Sequence, residues 1–496
     1  MCLPKNGLSK IAKLKYFIMK VFKIILLALC LLFVGSATWA YWAFRSGDLQ
    51  KVVINRVANQ VTDNKTEKGI LSTVLGFENP RTYLILFLNN TEMRPGGGFI
   101  GAYGLLKVDK GIPYLLKVEG TEILDNFGKK DFESVAPSPI TKYLKVSRWF
   151  FRDSNWSPDF SISAQKSIDL FLKQGGLVGA EKIDAVIGFT PTVIEEILKI
   201  HGPIKINDEE FNAQNFTEKL EYEVEYGYSK RGLEFSERKN MLRDLAYGLL
   251  TELRFDVFKN WQKYYDLLQR VLKEKQLIAY ATNSDEQALL FQKDWAGAMK
   301  PTAQDYLLWA DANLGALKTD AALDRELTYT IAPDDSGKFI ANVKMKFIHK
   351  GKFDWRTSRY LDYARVFVPI GSQLIKVNGS MEKEKSIKPG TVDQGIENGR
   401  QWFGTFIAIE PGRIGELSFD YYLPESVMTE IKNGNYELTI QKQIGTIAHK
   451  LTLGLDFGKK LISAYPGEKP AKYGDNRYDL VFDLREDREF KVKLAN

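Results

Sequence analysis

Residues 24–44, IILLALCLLFVGSATWAYWAF, form a run of 21 without one charged side chain. At 1.5 Å per residue a helix of that length is about 30 Å long, the thickness of a bilayer's hydrocarbon core. Six lysines (Lys5, Lys10, Lys13, Lys15, Lys20 and Lys23) and no acid precede it, and Trp39, Tyr41, Trp42 and Phe44 crowd its far end. Lysines on one flank and an aromatic belt on the other predict a single transmembrane helix with a cytoplasmic N-terminus and everything after Arg45 outside the cell membrane. Two other readings keep the body of the chain exported. Ile24–Val34 followed by Gly35-Ser36-Ala37 fits a cleaved signal peptide. A lipid-modified Cys30 would need a small residue where Leu29 stands.

This segment also reinterprets the charge. The chain has 69 Lys+Arg against 62 Asp+Glu, a net +7 that invites a nucleic-acid partner. Six of those positive charges sit in the N-terminal tail, so residues 24–496 are close to neutral. A near-neutral body argues against nucleic acid as the main partner. The only cysteines are Cys2 and Cys30, so the exported part has no disulfide, no thiolate nucleophile and no cysteine metal site. An ectodomain of this size then depends on its hydrophobic core.

Beyond the span, Val52, Val53, Val57 and Val61 mark a short membrane-proximal helix, and Thr62–Lys68 reads as a polar linker. From Asn79 the pattern changes. Tyr83–Leu88 is an unbroken apolar run of strand length, and Phe99–Val108 and Tyr114–Val118 read as a hairpin around Asp109-Lys110-Gly111. Ser161–Lys173 reads as a helix ended by Gly175-Gly176. Ile183–Phe189 reads as a strand, and Thr190 then caps a helix whose first residue is Pro191. Ile204–Ile206 follows as a short strand. Two longer helices are expected, one capped by Ser236 with Leu242, Leu245, Leu249 and Leu250 on one face. The other is capped by Asp256, with Phe258, Trp261, Tyr265, Leu268 and Leu272 as its stripe. Leu277–Ala281 is strand-like, and Ser284-Asp285-Glu286-Gln287 matches a capping box.

After Arg325 the period becomes two. Val343, Met345 and Phe347 alternate with lysines, and Leu417, Phe419 and Tyr421 alternate with polar residues, as do Phe490, Val492 and Leu494. Turns such as Asp334-Asp335-Ser336-Gly337 and Pro411-Gly412 punctuate the runs. The expected fold is α+β and multidomain. A basic tail (1–23), a transmembrane helix (24–44) and a membrane-proximal segment (45–78) lead into an α/β layered domain (79–325) and an antiparallel β-sandwich (326–496).

Two segments carry the candidate chemistry. The first, Asn89-Asn90-Thr91-Glu92-Met93-Arg94 and the glycines after it, contains the spacing G-x-G-x-x-G at Gly96, Gly98 and Gly101. A dinucleotide site needs a helix to start there, but a strand follows, and the Lys-Ser/Thr of a phosphate-binding loop is absent. Two readings remain: a β–β connection needing glycine backbone freedom, and a ligand site at Asn89, Asn90, Glu92 and Arg94. The second segment, Arg152-Asp153-Ser154-Asn155-Trp156-Ser157-Pro158-Asp159, begins like a calcium loop. Pro158 and Ala164 fall where that loop requires Gly and Glu. A looser oxygen-ligand site for Mg²⁺ or Ca²⁺ along Asp153-x-Asn155-x-Ser157 stays open, with Asn155 and Asp159 as candidate ligand-binding residues, beside a helix-entry loop with Trp156 in the core and Asp159 near the helix N-terminus. His201, His349 and His449 are scattered, so neither a serine-histidine-acid hydrolase nor a zinc enzyme is indicated. The polar cluster Asp311 to Asp320 reads as an inter-domain junction.

The motifs YLILFLNNTEMRPGGGFIGAYG, RDSNWSPDF, KIDAVIGFTP with ILKIHGPIKI, and WADANLGALKTD resemble, in this order, the bacterial "domain of unknown function 4012" family. IEPGRIGELSFDYYLP resembles its C-terminal region. The resemblance implies a membrane-tethered, extracytoplasmic protein without an assigned activity. At the level of fold, the chain is also similar to the LytR-CpsA-Psr cell-wall transferases, in which Arg94, Arg152 and Asp153 would take catalytic pyrophosphate and Mg²⁺ roles. The expected function is a cell-envelope binding or assembly role, with an envelope polymer or lipid-linked ligand as partner and no resident cofactor. The alternative is a Mg²⁺-dependent phosphotransferase acting on a lipid-pyrophosphate donor.

Overall fold

The structure is a computed structural model describing residues 65–176, 182–234, 238–302, 304–315, 317–468 and 474–495. The expected transmembrane helix, most of the membrane-proximal segment and the Ser236 cap lie outside the described residues. No helix among the described residues is long and apolar enough to cross a membrane.

The chain is mixed α and β with several sheets, as expected of an α+β multidomain protein. Helix α1 (Lys65–Val74) occupies part of the expected polar linker. Strands β1 (Arg81–Asn89), β2 (Phe99–Asp109) and β3 (Ile112–Gly120) follow as an antiparallel meander. Then come α2 (Thr121–Phe127), α3 (Phe160–Lys173), β4 (Ala185–Phe189), α4 (Pro191–His201), and the small hairpin β5 (Ile204–Ile206) with β6 (Glu209–Phe211). Helices α5 (Phe216–Tyr222), α6 (Asn240–Lys259) and α7 (Trp261–Lys273), strand β7 (Leu277–Ala281) and helix α8 (Ser284–Gln292) complete this part. The sheet order is β3-β2-β1-β4-β7, with β1 and β4 parallel.

Three expected caps differ from those observed. Thr190 precedes α4, but its hydroxyl donates to Gln276 Oε1 at 2.6 Å and caps nothing. Asp256 lies inside α6, because no breaker stops that helix before Asn260; its carboxylate accepts from Asn260 Nδ2 and the Tyr264 hydroxyl instead. The cap of α8 is Asn283, one residue earlier than expected, whose Oδ1 accepts from the Asp285 and Glu286 amides. An amide side chain one residue before the capping-box serine takes the donors first.

Alternation along β1 explains its unbroken apolar run, since both faces of the sheet are covered. Leu84, Leu86 and Leu88 pack on one face with Phe160, Ala164 and Phe171 of α3. Tyr83, Ile85 and Phe87 point to the other face, towards α4, α5, α6 and α7.

The second part holds β8 (Asp305–Ala310), β9 (Leu323–Pro333), β10 (Phe339–His349), β11 (Tyr360–Val368), β12 (Gln373–Asn378), β13 (Asp393–Glu397), β14 (Arg400–Ile409) and β15 (Ile414–Tyr422). Helix α9 (Glu425–Lys432) is followed by β16 (Asn435–Gln441), β17 (Lys450–Asp456), β18 (Leu461–Tyr465), β19 (Arg477–Asp483) and β20 (Arg488–Leu494). Sheets ordered β12-β15-β10-β9-β17-β19 and β13-β14-β11-β8-β16-β20-β18 enclose one core, with Tyr329, Val343 and Phe419 from the first meeting Trp309, Val366 and Tyr436 from the second. The sandwich is not purely antiparallel, because β9 pairs with β17, and β8 with β16, in parallel. Strand β8 lies ahead of the boundary expected at 326, yet it sits in the middle of the seven-stranded sheet. All six of its residues are buried, a pattern without the polar alternation that marks the later strands.

Candidate functional site

The connection from β1 to β2 is a loop, as the β–β reading requires, with Gly97 at φ +118° and Gly98 at φ +128°. It is wedged between the sheet and the sandwich. Asn89 folds back on its own loop, its Oδ1 accepting from the Thr91 amide and hydroxyl. Asn90 Nδ2 donates to Thr192 Oγ1 at 3.1 Å and to the Gly445 carbonyl at 3.0 Å. The Met93 amide donates to Asp320 Oδ2 at 2.9 Å, and the Asn313 amide to the Met93 carbonyl at 2.9 Å.

Arg94 is 3 % exposed. Its Nε donates to Asp153 Oδ1 at 3.1 Å and its Nη1 to the Asn313 carbonyl at 2.5 Å. Glu92 Oε1 lies 3.6 Å from Arg94 Nη2. Arg152 also approaches Asp153, at 3.6 Å, and donates to Asp125 Oδ2 at 3.1 Å. Asp125 takes further bonds from the Phe151 amide and Gln174 Nε2, yet burial still raises its pKa.

The second motif serves the same junction. Asn155 Nδ2 donates to the Gly98 carbonyl at 2.6 Å, so this residue clamps the glycine loop. Asp159 caps α3, its Oδ1 accepting from the Ser161 and Ile162 amides. Its Oδ2 accepts from the Met299 amide at 2.8 Å and from Asn398 Nδ2 of the sandwich. The Trp156 carbonyl accepts from Arg365 Nη2 at 2.6 Å. Beyond it, Arg325 is buried against Asp311 and Asp320, and Asp362 Oδ1 accepts from the Ala312 amide. Burial raises the pKa of Asp311 and of Asp362, and the Asp311 charge adds to the rise at Asp362.

Arg94, Arg152, Asp153 and Glu92 are therefore brought together, but Arg94 and Asp153 form a buried ion pair, with Arg152 half-buried beside Asp153 and Glu92 3.6 Å from Arg94 at its edge. Asp153 and Asp159 spend their oxygens on protein groups, and Asn155 spends its amide nitrogen, while its buried Oδ1 accepts no hydrogen bond from any described residue. Among the described residues no three His, Cys, Asp or Glu side chains assemble into a metal-holding group.

The concave site lies on the other face of the sheet, and of the residues singled out in the sequence as candidate chemistry only Asn89, Glu92 and Gly101 border it. Between that face and α4–α7 is a cavity of about 440 Å³, within the size range of small-molecule sites. Ile85, Phe87, Leu106, Ile187 and Phe189 form its floor, and Ile197, Leu242, Leu245, Leu249 and Leu268 its roof. On β1, Leu84, Leu86 and Leu88 are at most 1 % exposed, while Ile85 and Phe87 of the same interior strand stay only partly buried. On β4, Ile187 and Phe189 repeat this contrast with Val186. Apolar side chains at the centre of a sheet are normally sealed, because each Å² left open forgoes roughly 25 cal/mol. Gly101 and Gly104 of β2 line the same space, and a Cβ on Gly101 would meet nothing nearer than Phe99 Cδ1 at 4.0 Å.

One end of the cavity is polar. Arg238, Lys239, Lys318, Glu221, Glu225 and Glu92 line it. Lys239 Nζ pairs with Glu122 Oε2 at 2.6 Å and donates to the Gly101 carbonyl; burial lowers its pKa. Lys318 and Arg238 both hold Glu225 at 3.1 Å. Arg356, from the sandwich, donates to Glu221 Oε2 at 2.7 Å.

No curated protein matches the chain in sequence. Among solved structures, the Listeria innocua protein Lin1025 is 12 % identical, covering 44 % of this chain and 78 % of its own at a TM-score of 0.25. A putative nutrient binding protein from Legionella pneumophila is 12 % identical, covering 35 % of this chain and 67 % of its own, with a TM-score of 0.23. An M1 zinc metallopeptidase from Deinococcus radiodurans is 11 % identical over 35 % of this chain and 42 % of its own, with a TM-score of 0.15. Residues 78–225, which span the glycine loop, the Arg152–Asp159 segment and the β4–α4 unit, match the protein family of unknown function DUF4012.

Proposed function

We propose that this protein is a membrane-tethered, extracytoplasmic binding protein whose α/β part takes up the apolar chain of an amphiphile. The observation that carries the reading is the cavity, floored by interior-strand side chains that the helical layer leaves partly open. Tyr83, Ile85, Phe87 and Asn89 line it along β1, a reach of about 20 Å at 3.3 Å per residue, which accommodates an extended fatty-acyl chain. Its apolar end lies by Val74 and Tyr83, and its polar end by Glu92 and Lys318. A slot that is apolar along its length and charged at one end suits a molecule with a tail and a head. The N-terminal segment 24–44, read as an anchor, would keep the domain beside a source of such molecules.

A phosphotransferase built on Arg94, Arg152 and Asp153 has less support. Its arginines would have to grip a diphosphate, but Arg94 is buried and committed to Asp153 and a backbone carbonyl. Arg152 is likewise committed to Asp125 and Asp153.

The test uses the full chain in lipid nanodiscs and counts 1-hexadecanol bound per chain by native mass spectrometry. Wild type should retain one molecule. Gly101→Leu fills the cavity from the sheet and Ala246→Trp from α6, and both should release it. Equal retention by all three would remove the proposal.

A further inference from the structure

Glu92 is 5 % exposed, lines the polar end of the cavity, and receives no hydrogen bond to its carboxyl from any described residue. Its nearest cation, Arg94 Nη2, is 3.6 Å away and already serves Asp153 and Asn313 through its other nitrogens. The other acids at this end are spent: Glu221 accepts from Thr91, Arg356 and Asn89, and Glu225 from Lys318 and Arg238. Buried polar groups without a partner are uncommon, because each one costs its full desolvation. A carboxyl of this kind aimed into a cavity marks where a ligand's polar group belongs.

The neighbourhood selects the class of that group. Lys318, Arg238 and Lys239 line the same end, held by Glu225 and Glu122, so an ammonium head would find no acid uncommitted but Glu92. An oxyanion would find a proton donor in Glu92 with those cations around it. Burial raises the pKa of Glu92 against the pull of Arg94 and Lys318, with Asp153 and Asp320 adding to the rise, which favours the protonated, donating form. A carboxyl donating to an oxyanion makes a short, charge-assisted hydrogen bond.

We propose that Glu92 receives the oxyacid head, a carboxylate or a phosphate monoester, of a single-chain amphiphile lying in the cavity. This rests on the cavity reading above and adds the head to it. The two head chemistries share the recognition by Glu92 and differ in how much anionic charge they bring to Lys318 and Lys239.

The experiment compares hexadecanoate, hexadecyl phosphate, hexadecylamine and 1-hexadecanol on the full chain in nanodiscs. Bound molecules are counted by native mass spectrometry, and Gly101→Leu sets the background. In wild type at least one oxyacid should bind roughly tenfold more tightly than the alcohol, the difference one charge-assisted hydrogen bond supplies. The stronger of hexadecanoate and hexadecyl phosphate identifies the head. Glu92→Leu should bring the preferred acid down to the alcohol while leaving alcohol binding as in wild type, which shows that the cavity is intact. Glu92→Gln, which keeps a donor, should restore most of the preference. Wild type that binds the alcohol as tightly as both acids, or prefers the amine, overturns the assignment of Glu92 but leaves the cavity reading standing. An unchanged acid preference in Glu92→Leu does the same. Loss of all four ligands to the Gly101→Leu background overturns the cavity reading itself.

Discussion

Arg94 and Asp153 meet Nε to Oδ1 at 3.1 Å, with 3 % and 4 % of their side chains exposed. They come from two motifs 59 residues apart, and a third supplies Asn313, whose carbonyl accepts from Arg94, and Asp320, which accepts from the Met93 amide. Two polar motifs read as candidate chemistry and a third read as an inter-domain junction thus form one buried joint between the α/β part and the sandwich. A pair so deep contributes little net energy while intact but is costly to break, since the surviving charge stays buried. Arg94→Met should lower stability by about 3–5 kcal/mol in denaturant unfolding of the full chain. Asp153→Leu on that background should recover part of the loss, because it removes a buried carboxylate left with only Arg152, at 3.6 Å. A double variant no more stable than Arg94→Met would contradict this account.

The three glycines of the G-x-G-x-x-G spacing have separate jobs. A Cβ on Gly96 would lie 2.8 Å from the Asn155 carbonyl, and one on Gly98, at φ +128°, 2.5 Å from the Asn89 carbonyl. One on Gly101 would enter open cavity. Gly96→Ala and Gly98→Ala should each cost about 2 kcal/mol or more through strain and lost clamping by Asn155. Gly101→Ala should be neutral or stabilising by about 0.5–1 kcal/mol, because only the unfolded chain loses freedom. Thermal unfolding of the three single variants separates them, and equal losses would refute the distinction.

What the sequence disclosed was local. The apolar run of β1, the hairpin at Lys110-Gly111, the β4–α4 unit and the two-residue period after Arg325 depend on neighbouring residues, and each appears as an element. Asp159 at the start of α3 was legible for the same reason. Whether Arg94 faces a diphosphate or Asp153 depends on a partner 59 positions away, which no periodicity reports. The cavity was hidden for another reason. Leu242, Leu245 and Leu249 read as an ordinary core stripe, and only the packing shows that the stripe does not close on Ile85 and Phe87. The parallel partner of β8 was equally remote, with Leu438 of β16 in register with Asp305.

Asp159 joins helix capping to the junction. One oxygen serves α3 and the other serves Met299 and Asn398, and burial raises its pKa against all of these bonds. Asp159→Ala should cost about 2–3 kcal/mol, a cap together with a buried amide left unpaired. Asp159→Asn, which keeps an accepting oxygen for the cap, should cost less than half as much. Chemical denaturation of both variants checks the order, and an asparagine as harmful as the alanine would show that the charge, not the capping oxygen, is what the site needs.

Asp305 predicts a pH dependence that belongs to the sandwich alone. It is fully buried at the head of β8, with Oδ2 accepting from the Tyr329 and Tyr436 hydroxyls and Oδ1 from the Tyr306 amide. Burial outweighs these bonds and pushes its pKa up to about 6. An unfolded aspartate titrates near ~3.9. Between those values the folded chain holds a proton that the unfolded chain has lost, so stability falls as pH rises through this window and levels off above about pH 6. At about 1.36 kcal/mol for each pH unit that the window spans, this one group changes stability by roughly 3 kcal/mol at most. Asp311 and Asp362 have their pKa values raised as well, so the quantity to read is the difference between wild type and Asp305→Asn. Unfolding free energies measured from pH 4 to pH 7 should converge at the acid end, or favour wild type there, and should diverge in favour of the asparagine variant above pH 6. Parallel curves across the range would mean that Asp305 does not change protonation with folding.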